Sequence, residues 1–340
     1  MLQPPPQQEG EVQQEQGGRG KKLIDDSTKM VFGPKTTLYF FEKDIRRNRK
    51  KLHEVDTLLT GFHYYEPVAR SGWRYQDLGN IGTAAKPIFY EAPRQIGLTS
   101  GFHVYDLYMH SVDSVRYFDT KSPFTDMNVY FGGGHRNMLD LAFARNVNER
   151  WNVGIVFHTI RSRRTLNPRN RDDHQTVQNS YGFNTNYTSE DGKYLLLANF
   201  TRVRHLVNEQ GGIIPQAVDS TSLPFAYEDA QVWLRQAVAT DLRQEIKLFH
   251  QYELLKDQQV YHSFDRRKQE VFFAAPLGTP QEGAFFDRFH PERFNREDST
   301  LNFNRFVAWT NEFGLKGDIG PCFIAPSASS GSGRPTVPSS

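Results

Sequence analysis

The sequence predicts an all-β protein, an antiparallel transmembrane β-barrel with a disordered tail at each end. Three observations carry that reading. Apolar and polar residues alternate with period two through the middle of the chain, aromatic residues reach 13%, and the mean hydropathy is nevertheless -0.64. A strand that crosses a bilayer needs an apolar side chain only at every second position, so its average stays polar while aromatic residues gather at the two interfaces. No run approaches the ~20 consecutive apolar residues of a membrane-spanning helix.

Charge and cysteine content narrow the classes further. Lys+Arg number 41 and Asp+Glu 39 in 340 residues. That balance gives no basic surface for nucleic acid, so no nucleic-acid partner is expected. Cys322 is the single cysteine, which excludes an internal disulfide framework and a cysteine-rich metal site.

In chain order, residues 1–23 are rich in Gln, Glu, Pro and Gly and read as a disordered leader, too poor in apolar side chains to offset the entropy of ordering. The leader lacks the apolar core of a secretory signal peptide. Residues 24–94 read as a periplasmic or plug-like segment, 95–321 as the barrel strands, and the Ser/Gly/Pro-rich 322–340 as a disordered tail.

The clearest hairpin spans Met138 to Arg161. Leu139, Leu141 and Phe143 alternate with Asp140 and Asn146 on one arm, and Trp151, Val153, Ile155 and Phe157 alternate with Asn152 and His158 on the other, around the turn Asn148-Glu149-Arg150. Successive strand side chains point to opposite faces, so each arm has an apolar and a more polar side, at the length of about 9–11 residues that crosses a bilayer when tilted. Arg145 falls on the apolar parity, as a residue near an interface can.

A second hairpin runs from Tyr181 to Val203 around Glu190-Asp191-Gly192, whose Asp-Gly pair suits a turn needing positive φ. Asn184 and Asn186 take its polar parity, while Leu195-Leu196-Leu197 leaves the facing of the return strand open. A third strand lies in Thr240–Leu255, with Leu242, Ile246 and Leu248 on one side and Arg243, Glu245 and Lys247 on the other. Asp229–Val238 reads either as a short helix or as extended chain. Long polar excursions at 162–178 and 208–229 alternate with the tight turns, the loop asymmetry of an outer-membrane barrel.

Chemistry is sparse. There is no His-Glu-x-x-His, no phosphate-binding GxxxxGK[ST] and no GxSxG, and Gly132-Gly133-Gly134-His135 lies between strands rather than before a helix. Asp119 and Asp126 flank Lys121, but they read as charged ends of strands rather than as an acid–base pair. No catalytic residue, metal or cofactor is expected, and the chain is read as not an enzyme.

Four segments carry a family resemblance: Phe32-Gly33-Pro34-Lys35-Thr36-Thr37, following Asp25-Asp26-Ser27-Thr28; Leu78-Gly79-Asn80-Ile81-Gly82-Thr83-Ala84; the stretch Phe118–Thr125; and Phe313-Gly314-Leu315-Lys316-Gly317-Asp318. In these the chain resembles the Bacteroidota putative porin family, outer-membrane β-barrels of poorly defined substrate, over about Ile24 to Pro321. Members carry a signal peptide and continue past the Gly-Leu-Lys-Gly-Asp segment. The resemblance therefore implies that this chain lacks the signal peptide and the C-terminal part. Roughly 8–10 strands fit between Ile96 and Gly320, so the barrel is expected to be incomplete.

The resulting expectation is passive diffusion of small polar solutes through an outer-membrane lumen, with membrane lipid and small polar solutes as partners. Asp140, Asn146, Asn152, His158, Asn184, Asn186, Arg243, Glu245 and Lys247 would line the lumen. Leu139, Leu141, Phe143, Trp151, Val153, Ile155 and Phe157 would face lipid. Two alternatives stay open: a non-conducting barrel acting as an adhesion or secretion partner through its loops, and a secreted soluble β-protein binding carbohydrate.

Overall fold

The computed structural model describes residues 32–58, 60–61, 63–90, 98–109, 114–170, 173–214, 229–289, 295–296, 299–319, 322–325 and 327–336. The leader expected at 1–23 and residues 337–340 lie outside them. The described chain begins with short elements: β1 (Thr37–Phe40), α1 (Glu42–Arg46), β2 (His53–Glu54), α2 (Pro67–Arg70), β3 (Tyr75–Gln76), β4 (Lys86–Pro87) and β5 (Tyr117–Thr120). Long strands follow: β6 (Phe124–Gly132), β7 (Arg136–Asn148), β8 (Trp151–Arg163), β9 (His174–Thr188), β10 (Tyr194–Glu209), β11 (Ala237–Leu255) and β12 (Gln258–Pro276). After α3 (Pro280–Phe289) come β13 (Asn295–Arg296), β14 (Ser299–Ile319), β15 (Cys322–Ile324) and β16 (Ser327–Thr336).

The long strands form one antiparallel meander in the order β13-β14-β12-β11-β10-β9-β8-β7-β6, with β15 and β16 also paired to β14. No ladder joins β6 to β14 or β16 among the described residues, so no closed barrel forms there, where the sequence reading expects a barrel that is incomplete. Strands β7–β12 and β14 outrun the expected 9–11 residues; β11 and β12 stay paired from Val238↔Ala274 to Leu255↔Gln258. Alternation marks a strand only where the two faces differ in polarity, but backbone pairing continues through polar runs such as Arg266–Glu270.

Turns sort by end. At one end, Glu149-Arg150 joins β7 to β8, 189–193 joins β9 to β10 with Gly192 at φ 72°, and Lys256-Asp257 joins β11 to β12 with Asp257 at φ 62°. The opposite end carries 164–173, 210–236 and the α3 connection; the first is shorter than the expected excursion 162–178 because β8 and β9 extend into it, and the second starts within the expected 208–229 and runs past it to β11. The exception at that end is 133–135, a tight turn with Gly134 at φ 70° and His135 at φ 54°. Asp229–Val238 is not helical. Val232 bridges Ile213, and the amides of Trp233 and Leu234 donate to Gly212 O and Gln210 O, which holds the segment extended into β11. α3 starts with a reciprocal cap, in which Glu282 N donates to Thr279 Oγ1 (3.3 Å) while Thr279 N donates to Glu282 Oε2 (3.1 Å).

The two faces of the sheet invert the usual rule that polar residues lie outside. On β8, Trp151 is 42% and Ile155 56% exposed, whereas Asn152 is 2% and His158 6% exposed. Register carries the buried parity across the sheet, from Asn146 to Asn152, Asn186, Leu197 and Phe249. The ambiguous Leu195-Leu196-Leu197 resolves accordingly: Leu195 and Leu197 point inward and are buried, and Leu196 pairs with Tyr187 on the outer face.

The inner face is covered by residues 33–120. Ile81, Ala85, Tyr105 and Tyr108 pack on Met138, Ile160, Val207 and Ala239, and Phe40, Ile45 and Tyr117 pack on Leu195, Leu197, Phe249 and Tyr261. Two boundaries of the sequence reading change. The wall begins at Phe124 rather than at 95, because β5 pairs with β1 and not with the large sheet, so the segment expected at 24–94 reaches Thr120; its residues 24–31 lie outside the described ones. The tail expected to be disordered from 322 pairs with β14, from Gly314↔Ser327 to Arg305↔Thr336. Backbone pairing needs no apolar side chain, and the second edge of β14 offers a long row of donors and acceptors.

Packing on the inner face predicts a contrast between two glycines. A Cβ on Gly314 would lie 2.5 Å from the buried Tyr261 ring, whereas one on Gly133 meets nothing within 4 Å. Gly314→Val is expected to destabilise the folded protein by about 1–3 kcal/mol and Gly133→Ala to leave it nearly unchanged, as read from urea-unfolding midpoints of detergent-solubilised protein.

Candidate functional site

The inner face and the segment lying on it form one polar assembly. Its central anchor is Leu78–Ala84. Asn80 Nδ2 donates to Arg163 O (2.8 Å) and Gln175 Oε1 (2.7 Å), and Arg136 donates to Asn80 Oδ1 (3.0 Å) and Gly79 O (3.0 Å). Ser162 Oγ donates to Ile81 O (3.0 Å). Gly82 sits at φ 85°, and a Cβ there would lie 2.4 Å from Thr176 Cγ2, so both its backbone angle and its close approach require glycine. That approach brings Gly82 O within 2.7 Å of His205 Nε2. His205 is fully buried between the rings of Tyr105 and Tyr108, and Gln178, 3.0 Å from its Nδ1, donates in turn to Tyr108 O (2.8 Å).

Two segments far apart in sequence meet at the opposite end of the inner face, by Asn146 and Asn186 rather than Ser162 and Gln175. Phe32–Thr37 leads into β1 and Phe118–Thr125 lies across β5, and the two strands pair from Thr37↔Thr120 to Phe40↔Tyr117. Asn186 Nδ2 donates to Phe118 O (2.8 Å), Asn146 Nδ2 donates to Asp119 Oδ1 (2.9 Å), and Thr120 N donates to Asn146 Oδ1 (3.1 Å). The fourth segment closes the other side. Lys316 Nζ donates to Ile45 O at the end of α1, where Arg46 bridges Glu42 (2.7 Å) and Glu312 (2.9 Å).

Electrostatics reinforce the contact. Lys247 pairs with Glu42 (3.2 Å), Arg243 with Asp106 (2.7 Å) and Asp241 (2.7 Å), and Tyr105 OH donates to Glu209 Oε1 (2.9 Å). Burial pushes the phenols of Tyr105, Tyr108 and Tyr117 above their ordinary values, so all three stay neutral. An unpaired buried polar group costs about 1–3 kcal/mol, so each strand residue bonded to the segment also holds it in place.

The residues expected to line a lumen, Asp140, Asn146, Asn152, His158, Asn184, Asn186, Arg243, Glu245 and Lys247, therefore share the inner face. Most of them face protein rather than open water. His158 hydrogen-bonds Asp140, Asn152 donates to Asn146 Oδ1 (2.5 Å), and Glu245 bridges Arg267 (3.0 Å). Leu139, Leu141, Phe143, Trp151, Val153, Ile155 and Phe157 share the outer face. Sequence reasoning missed Gln178, His205, Ser162 and Gly82. Their signal was the Gly-Asn-Ile-Gly motif together with polar residues on the buried parity of β8–β10.

A cavity of about 440 Å³ remains between residues 114–118 and the inner face of β6–β10, lined among others by Arg70, Arg116, Asp126, Asn128, Asp140 and Asn199. Asp126 accepts from Asn128 Nδ2 (3.1 Å), and Asp119 is bonded to Asn146, so the two carboxylates once weighed as an acid–base pair are engaged separately. Among the described residues, no group of three or more His, Cys, Asp or Glu side chains could hold a metal ion. No described helix is long and apolar enough to cross a membrane, which says nothing of strands.

A family profile described as "Putative porin" matches residues 37–323 of the chain. No curated protein and no solved structure matches it. The match begins at the first residue of β1 and ends within β15, so it takes in the inner segment as well as the wall.

The Gly82 geometry predicts how the segment is released. Gly82→Val forces a bulky residue to positive φ, at about 1–3 kcal/mol, and into Thr176. Hydrogen exchange of the full-length protein is expected to show at least about tenfold loss of protection at 79–84, with β7–β12 unchanged. Equal protection in both proteins would show that the glycine is not needed for docking.

Proposed function

The chain belongs to the Putative porin family, and on that premise we propose that it is an outer-membrane, porin-like protein that admits small polar solutes by passive diffusion. The observation that carries this is the inverted polarity of the sheet. Trp151, Ile155, Tyr181 and Phe183 are exposed on the outer face, while Asn152, His158, Asn184 and Asn186 are buried on the inner one. Water gives no reason to expose the first set and bury the second; a hydrocarbon outer solvent gives a reason for both. From Trp151 to Phe157 the outward apolar run on β8 covers about 20 Å, close to the height of a lipid-facing band. The sorting of short turns to one end and long loops to the other fits the periplasmic and extracellular sides of such a wall.

The solute path in this reading is the space that the inner segment leaves open. Arg70, Arg116, Asp126 and Asp140 bring both signs of charge to the cavity, so weak ion selectivity is expected. A cavity of this size accommodates a small polar molecule. The edge of β6 that pairs with no strand among the described residues must find hydrogen-bond partners when the sheet enters lipid, since each unsatisfied backbone group there costs several kcal/mol.

One observation favours a second reading, a non-conducting barrel serving as an adhesion or secretion partner. The inner segment occupies much of the polar face, through Phe118, Tyr108, Ile81 and Asp106 among others.

Planar-bilayer recording of the refolded full-length chain separates the two. Passive diffusion predicts discrete conductance steps of low ion selectivity, larger or more frequent in Gly82→Val, where the segment is loosened. Silence from both proteins, despite insertion into the bilayer, would overturn the diffusion reading in favour of the second.

A further inference from the structure

Above the apolar band, on the long-loop side, two outward rows carry cations, and Val177, Leu206, Phe272 and Phe303 return apolar side chains in the row of Arg161 beyond them. Register aligns Thr159, Asn179, Arg204, Leu242, Glu270 and Arg305 in one row across β8, β9, β10, β11, β12 and β14. Arg202 and Lys268 lie one outward step toward the band in the next row, joined through Gln244, and Arg161 lies one step beyond Thr159. Arg266 sits over the Trp309 ring at 5.0 Å, where the band ends.

This row is unbalanced. Its one carboxylate, Glu270, is already shared by Lys268 (2.8 Å) and Arg305 (3.4 Å). Arg161, Arg202 and Arg204 are exposed, and the ion pairs of Glu270 go to Lys268 and Arg305 rather than to any of them. Neighbouring strands are about 4.8 Å apart and successive outward residues about 7 Å, so these three guanidinium groups can converge on one multiply charged group. The opposite rim differs: there one outward row presents Trp151, Tyr187, Leu196, His250, His262 and Phe313 across β8–β14, and Arg145 on β7 stands alone beside it.

We propose that the outward patch formed by Arg161, Arg202 and Arg204 binds the phosphate-bearing headgroup of an anionic lipid in the leaflet on the long-loop side. The inference rests on the membrane reading of the apolar band and adds to it a lipid preference for one leaflet. Guanidinium groups pair bidentately with phosphate oxygens, and cations at the headgroup level gain from an anionic surface without entering hydrocarbon. A soluble face would have no need of three unbalanced arginines set between outward apolar rows.

The test titrates the full-length protein in neutral detergent micelles with phosphatidic acid or with phosphatidylcholine, reading bound lipid by native mass spectrometry. Phosphatidic acid is expected to bind at least about tenfold tighter, and the triple variant R161Q/R202Q/R204Q to lose that preference. The conservative R161K/R202K/R204K should retain part of it, because the charge remains. Equal binding of the two lipids by the unaltered protein, or an unchanged preference in the Gln variant, would overturn the proposal. Displacement of the lipid by an equal concentration of inorganic phosphate would overturn its lipid character. The comparison of the two lipids on unaltered protein does not depend on any variant folding. Insertion into phosphatidylcholine vesicles, scored separately by flotation, reports on the membrane reading itself.

Discussion

Everything else in this structure depends on the antiparallel backbone ladder from β6 to β14. Once main-chain donors and acceptors are paired within the sheet, the two faces are left to the side chains alone, and the backbone makes no demand on the solvent. The chain uses that freedom to put Trp151, Ile155 and Phe183 outside and Asn152, His158 and Asn186 inside. The inversion creates a second requirement, since a polar inner face needs partners of its own. Residues 33–120 meet it by laying backbone carbonyls and charged side chains across the strands.

That requirement accounts for the four sequence segments that mark the family resemblance. Leu78–Ala84 supplies the glycine turn whose carbonyl meets His205, Phe32–Thr37 and Phe118–Thr125 contribute the β1–β5 pair, and Phe313–Asp318 contributes Lys316, which donates to the end of α1. None of the four is a catalytic motif, and each joins the segment to the wall or is part of that joint. Their spread along the chain reflects the meander, in which strands distant in sequence present the same inner face to one covering segment.

Much of the wall was legible because period-two polarity is a local property. The β7–β8 and β9–β10 hairpins, their turns and the assignment of Asp140 and Asn146 against Leu139 and Leu141 all follow from neighbouring residues. Other local signals were there and went unread: Thr279-Pro280-Gln281-Glu282 is a capping box with proline in the first turn, and it does open α3. The ends of the strands were not legible, because a ladder such as that of Arg266–Glu270 continues where neither face is distinctly apolar.

By itself, the sequence determined that this is a β protein, which parity of each strand is apolar, where the tight turns lie, and which short segments set it apart. Alternation, turn chemistry and composition act over a few residues, and a linear reading captures them. Only the tertiary structure decided that Gln178 and His205 pair with the carbonyl oxygens of Tyr108 and Gly82, that the wall begins at Phe124, that a Ser/Gly/Pro run becomes the strand beside β14, and that three arginines from β8 and β10 share one outward patch. Those facts depend on register between strands and on which segment covers which face. Both are set by long-range pairing, in which a residue's partner is chosen by geometry rather than by its neighbours in the chain.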